Sequence, residues 1–184
     1  MVRKRTLARL RTKAFDRSWH LSRTPAEVDL TEIEFAIMRT NEAFGRWQAE
    51  CLANVSDFSA NGSESVLLHL IRMNERPKTI KDLAQLTNRT DIPNLQYSLR
   101  KLIKAGLVVR RGSGRAGVTY SVTSTGRKIT DDYAVLRKIL LVAAIKSFPE
   151  LPRKLVDATR TVEVLTGLYE QAARDAATHR RSLR

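Results

Sequence analysis

The chain has 184 residues, 42% of them apolar, and a formal net charge of +14, so it has the material for a buried core and a surface suited to acidic partners. Its one cysteine, Cys51, excludes an intrachain disulfide framework and a zinc site built from cysteine pairs. The longest apolar run, Ile139 to Ile145, is too short to cross a bilayer, and no apolar stretch follows the basic start as a secretory signal requires. These features predict a protein of a reducing, cytoplasmic setting with no membrane contact.

The charge is segregated. Residues 1–25 carry a net +7, residues 26–75 a net −6, and residues 76–115 a net +8. Charge serving solubility alone would be spread more evenly, whereas local concentration marks a nucleic-acid footprint.

Residues 1–24 read as a basic arm. Leu7, Leu10 and Ala14 recur at helical spacing there, which predicts partial coiling on contact with a partner. Residues 25–60 hold a long helix. Thr31 and Glu34 have capping-box spacing at its start, and Ile33, Ile37, Phe44, Trp47 and Cys51 form its apolar face up to about Asn54. After the turn Asn61-Gly62-Ser63, a second helix turns Val66, Leu67, Leu70 and Ile71 inward and ends before Pro77. Thr79 caps a short third helix whose core side is Ile80, Leu83, Ala84 and Leu86. Asn88 to Asp91 is a polar turn. Pro93 fits the first turn of a fourth helix, which Gly106 ends. Leu107 to Arg111 and Val118 to Val122 are β-prone runs around Gly112, Gly114 and Gly117, the pattern of a hairpin. A fifth helix runs from Ser124 or Thr125 to Ile145. After the break Phe148 to Pro152, a last helix covers about Arg153 to Ala177, with Leu155, Val162, Leu165 and Tyr169 as its stripe.

This order predicts a mainly α fold with a small β-hairpin wing: a winged helix-turn-helix lobe over 61–123, flanked by long helices at 25–60 and 124–184. On the fourth helix, Leu95, Leu99, Leu102 and Ile103 share one side. Asn94, Tyr97, Lys101 and Lys104 fall opposite, with Arg100 to one side. These are groups that meet base edges and phosphates, and Asn pairs with adenine N6 and N7. Arg110, Arg111 and Arg115 flank the glycine-rich tip with no acid between them, which suits a phosphate or minor-groove contact. With Gln96 from the same helical segment and Arg89 from the preceding turn, the expected DNA-binding set is Arg89, Asn94, Gln96, Tyr97, Arg100, Lys101, Lys104, Arg110, Arg111 and Arg115.

Three segments, Thr79-Ile80-Lys81-Asp82-Leu83-Ala84, Leu99 to Val108, and Val122 to Arg127, resemble the MarR-type transcriptional regulators over about residues 63–130. The resemblance implies a homodimer paired through the terminal helices, with one recognition helix per half-site. It also implies base reading by Asn94 to Arg100 and a wing-tip contact from Arg115. The acid that family usually carries just before its wing arginine is missing from Ser113-Gly114-Arg115-Ala116.

Nothing in the sequence suggests catalysis, a metal or a cofactor. His20, His69 and His179 lack ligand spacing, and the glycine-rich tip lacks the Lys-Ser/Thr of a phosphate loop. Cys51 is either inert packing or a thiol sensor. Phe44, Trp47 and Tyr133 are either core or the lining of a pocket for a small-molecule effector. The expected activity is transcription regulation by sequence-specific binding of double-stranded DNA at a pseudo-palindromic site. A protein-interaction or RNA-binding module is the alternative.

Overall fold

The computed structural model describes residues 20–58, 61–113 and 117–179. Most of the basic arm and Arg115 lie outside these residues. Two compact units divide the chain, the first ending at Ile129 and the second starting at Thr130.

Helix α1 spans Pro25–Val55. It starts earlier than the Thr31–Glu34 spacing predicts, because the chain holds a second capping box just upstream. Thr24 Oγ1 accepts from the Glu27 N–H at 3.3 Å, and Glu27 Oε2 accepts from the Thr24 N–H at 2.6 Å. Pro25 sits in the first turn, where a missing N–H costs nothing. Thr31 therefore lies inside the helix, buried, and donates to the Leu21 carbonyl at 3.2 Å. Cys51 and Leu52 are buried, Trp47 is half-buried, and Phe44 is exposed rather than packed as its spacing predicts.

Helix α2, Gly62–Arg72, is capped reciprocally by Asn61 and Glu64. It packs against α1 where two glycines meet: a Cβ on Gly62 would stand 3.0 Å from Gly45 Cα. Leu67, Leu68 and Ile71 are fully buried at the centre of the first unit. The chain then kinks through Asn74 and Glu75, both at positive φ. Buried Lys78 stabilises the kink by donating its ammonium to the carbonyls of Met73 at 2.6 Å and Arg76 at 2.7 Å.

Strand β1, Lys78–Thr79, leads into α3, Ile80–Leu86, and α4, Ile92–Lys104. Strands β2, Val108–Arg111, and β3, Thr119–Val122, form the hairpin. The sheet is antiparallel in the order β1-β3-β2, with Lys78 opposite Tyr120 and Val108 opposite Val122. A two-residue strand has no legible alternation, so β1 adds to the hairpin the sequence predicts. Helix α2 packs on α3, α4 and β3, and Leu83, Leu95, Leu99, Leu102, Leu107 and Val108 complete the core. Leu86, expected on that side, is exposed at the last position of α3.

Helix α5, Ser124–Arg137, continues through a π-helical turn at Lys138–Val142 into α6, Ala143–Lys146. Helix α7 spans Leu151–His179. Leu155, Val162 and Tyr169 of its expected stripe are exposed in the single chain, and Leu165 is half-buried. No helix among the described residues is long and apolar enough to cross a membrane.

Candidate nucleic-acid interface

The turn between α3 and α4 is fixed at both ends. Asn88, at positive φ, closes α3: its N–H donates to the Gln85 carbonyl at 3.1 Å, and the Arg89 N–H to Ala84 at 2.9 Å. This pair of hydrogen bonds is the Schellman closure, and asparagine is among the residues that adopt its left-handed position. Arg89 is thereby aimed at the start of α4. Its Nε and Nη2 donate to the two oxygens of Asp91 at 2.7 and 2.5 Å, and its Nη1 to Ser63 Oγ of α2 at 2.9 Å.

Asp91 stands at the N-cap of α4, yet its side chain caps no backbone N–H. Its second bond is from Asn94 Nδ2 at 3.1 Å. The Arg89 guanidinium, and after it the Asn94 amide, hold the Asp91 carboxyl well below the usual carboxylate range. The same pairing raises the Arg89 pKa further.

Helix α4 lays Leu95, Ser98, Leu99 and Leu102 into the core. Its amphipathic period leaves Asn94, Gln96, Tyr97, Arg100 and Lys104 exposed, as the sequence predicts. No acid lies between Ile92 and Lys104, so this surface offers two amides, a phenol and two cations with no carboxylate of the helix to neutralise them.

Lys101 takes a different position from its neighbours. Its ammonium lies 2.9 Å from Oε1 of Glu64, whose side chain is 1% exposed. The same ammonium lies 5.9 Å from the Phe58 ring centroid and 6.0 Å from that of Tyr97. Glu64 Oε2 meanwhile accepts from the Asn61 N–H at 2.7 Å. One buried carboxylate thus caps α2 and anchors α4, and the half-buried Lys101 ammonium is held by it.

In the wing, Arg110 and Arg111 are exposed at the end of β2. Successive strand residues point to opposite faces, so the two arginines splay apart: Arg110 lies opposite Tyr120, Arg111 opposite Thr119. The expected set therefore separates. Asn94, Gln96, Tyr97, Arg100, Lys104, Arg110 and Arg111 are at the surface of one lobe. Arg89 and Lys101 are engaged with carboxylates, and Arg115 lies outside the described residues. Sequence reading missed Asp91 and Glu64. The Asn61-x-x-Glu64 spacing signals a cap, but its pairing with Lys101 spans two helices and leaves no local pattern. Among the described residues no group of three or more His, Cys, Asp or Glu could hold a metal ion.

Residues 61–126 match the model of the winged helix DNA-binding domain. No curated protein matches the chain. Among solved structures, a mutant MarR from E. coli complexed with operator DNA is 20% identical, with a TM-score of 0.60, over 73% of this chain and 95% of that one. The S. aureus MepR–DNA complex is 16% identical, with a TM-score of 0.54, over 72% and 94%. RV1404 from Mycobacterium tuberculosis is 16% identical, with a TM-score of 0.51, over 75% and 92%. At such identity the likeness is one of fold. Residues 61–126 are thus similar to the winged helix DNA-binding domain, and the chain shares its fold with solved MarR-family transcription regulators.

Proposed function

We propose that the chain is a homodimeric transcription regulator that reads double-stranded DNA at a pseudo-palindromic site. In this reading α4 enters the major groove and the wing follows the backbone or minor groove. The observation that carries it is the acid-free exposed face of α4, with Arg110 and Arg111 on the same lobe. The E. coli MarR and S. aureus MepR structures of this fold hold operator DNA and DNA. The apolar side chains exposed on α1 and α7 support pairing of two copies. Two-fold symmetry then sets half-sites one helical turn, about 34 Å, apart.

Selection of bound sequences from a random duplex pool tests this. The expected result is one enriched motif with inverted symmetry, bound by two chains. Enrichment of no motif, or stronger competition by structured RNA than by duplex DNA, would overturn it.

A further inference from the structure

Asn94 is the exposed amide nearest the start of α4, the end of a recognition helix that usually reaches base edges. An amide reads a base only if its oxygen and nitrogen are presented the right way round, and a surface asparagine is otherwise free to turn over. Here one neighbour decides the matter. Asp91 Oδ2 lies 3.1 Å from Asn94 Nδ2, and an ionised carboxylate only accepts. The amide must therefore turn its nitrogen to Asp91, leaving its oxygen and second N–H for an outside partner. Asp91 is itself held by the two-pronged Arg89 contact, and Arg89 by Ser63 on α2.

Asp91 stands where aspartate ordinarily caps a helix by accepting from backbone N–H groups. It makes no such bond; both oxygens serve side chains instead. The pairing with Arg89 keeps the carboxyl ionised far into acid, so its acceptor-only character does not vary over the working pH range.

We propose that Asp91, clamped by Arg89, is a positioning residue that orients the Asn94 amide and so sets which base-pair edge α4 reads. The remaining acceptor and donor match the N6–H donor and N7 acceptor of adenine. Arg89 acts here as a brace rather than a phosphate contact. This deepens the DNA-reading proposal and rests on it.

The test has two arms, both on the full chain. In the free protein, the side-chain amide protons of Asn94 are followed by NMR. Two distinct resonances are expected, one shifted by the Asp91 bond, and Asp91→Ala and Arg89→Met should each collapse that shift. An unchanged Asn94 signal in Asp91→Ala overturns the relay whatever the protein binds. In the second arm, binding is measured on the selected duplex with each of the four base pairs placed at the position that loses discrimination in Asn94→Ala. Asp91→Ala should lower the preference there by roughly tenfold, and Asp91→Ala/Asn94→Ala should match Asn94→Ala alone. Arg89→Met should lose preference in the same way with an unchanged salt slope, and melting curves confirm that each variant folds. Equal loss on all four duplexes, or additive losses in the double variant, overturns the proposal. If Asn94→Ala alters no base preference while the amide shift behaves as expected, the base-reading role fails and the relay is packing only.

Discussion

Two adjacent cations on α4 have opposite jobs. Arg100 is exposed, and Lys101 is bound to the buried Glu64 carboxylate. Removing the Lys101 charge leaves a buried carboxylate with only its backbone donor and a long contact from Ser98 at 3.4 Å. Lys101→Met is therefore expected to lower stability by about 2 kcal/mol, less than a fully buried pair would lose because the ammonium is partly in water. Arg100→Ala should leave stability within about 0.5 kcal/mol and reduce the salt slope of DNA binding by about 1. Chemical denaturation of both variants, with titrations at several salt concentrations, checks the pair. A stable Lys101→Met with a flattened slope would return Lys101 to the DNA-binding surface.

The caps give a pH dependence at the same scale. Asp82 accepts from the Thr79 N–H at 2.7 Å and the Thr79 hydroxyl at 2.8 Å, and these bonds lower its pKa, the backbone bond most. Glu27 is lowered in the same way by Thr24. A carboxyl lowered on folding stabilises fully above its unfolded value, about 4, and loses that contribution as pH falls through the folded value. Melting temperature should therefore drop as pH falls below about 4. Asp82→Asn should melt lower at neutral pH and show a shallower acid fall. An acid limb identical to the wild type would remove this cap from the account.

At the scale of elements, α4 and the wing are joined by a close backbone approach. Gly106 ends α4 at positive φ, and the Thr123 hydroxyl bonds the Gly106 carbonyl at 2.7 Å while accepting from the Gly126 N–H at 3.0 Å. A Cβ on Gly126 would stand 2.2 Å from the Leu107 carbonyl oxygen. Gly126→Ala must push the start of α5 away from the Leu107 backbone and should cost about 1–3 kcal/mol, read as a lowered denaturation midpoint. Leu99→Ala, in the core side of α4, should cost about 2–5 kcal/mol. The helix period of α4, the glycine closure at Gly106 and the hairpin are legible in the sequence, because each has a local signature; on α2 the expected Leu67 and Ile71 are buried, but Val66 and Leu70 are half-buried and Leu68 takes a core place. The start of α1 is ambiguous in the sequence because Thr24 and Thr31 offer the same capping spacing, and only Pro25 distinguishes them. Periodicity points Phe44 and Leu86 inward, yet a helix end or an unpartnered face can leave such residues in water, as it does here. The jobs of Arg89, Lys78 and Lys101 were illegible for another reason. A basic side chain looks the same in sequence whether it meets a phosphate or a carbonyl inside the fold.

Counting charge at the scale of the whole molecule changes once those three are set aside. Arg100, Lys104, Arg110 and Arg111 are exposed and make no ion pair among the described residues. Four such contacts on each of two chains give eight, and a slope of about −0.9 per phosphate puts the salt dependence near −7. That arithmetic requires a dimer, and α7 is the place to break one. Leu168 is 60% and Val164 64% exposed in the single chain, so Leu168→Glu places a charge on a patch that the proposed pairing buries. The variant is expected to sediment as a monomer, with a folded winged-helix lobe and an unchanged melting transition for it. Its slope should fall to about half, since one lobe then meets one half-site. A dimer that survives Leu168→Glu would move the pairing surface away from this face of α7. A wild-type slope well beyond −7 would assign the excess phosphate contacts to the eight arginines and lysines of residues 1–25, the strongest concentration of positive charge outside the lobe.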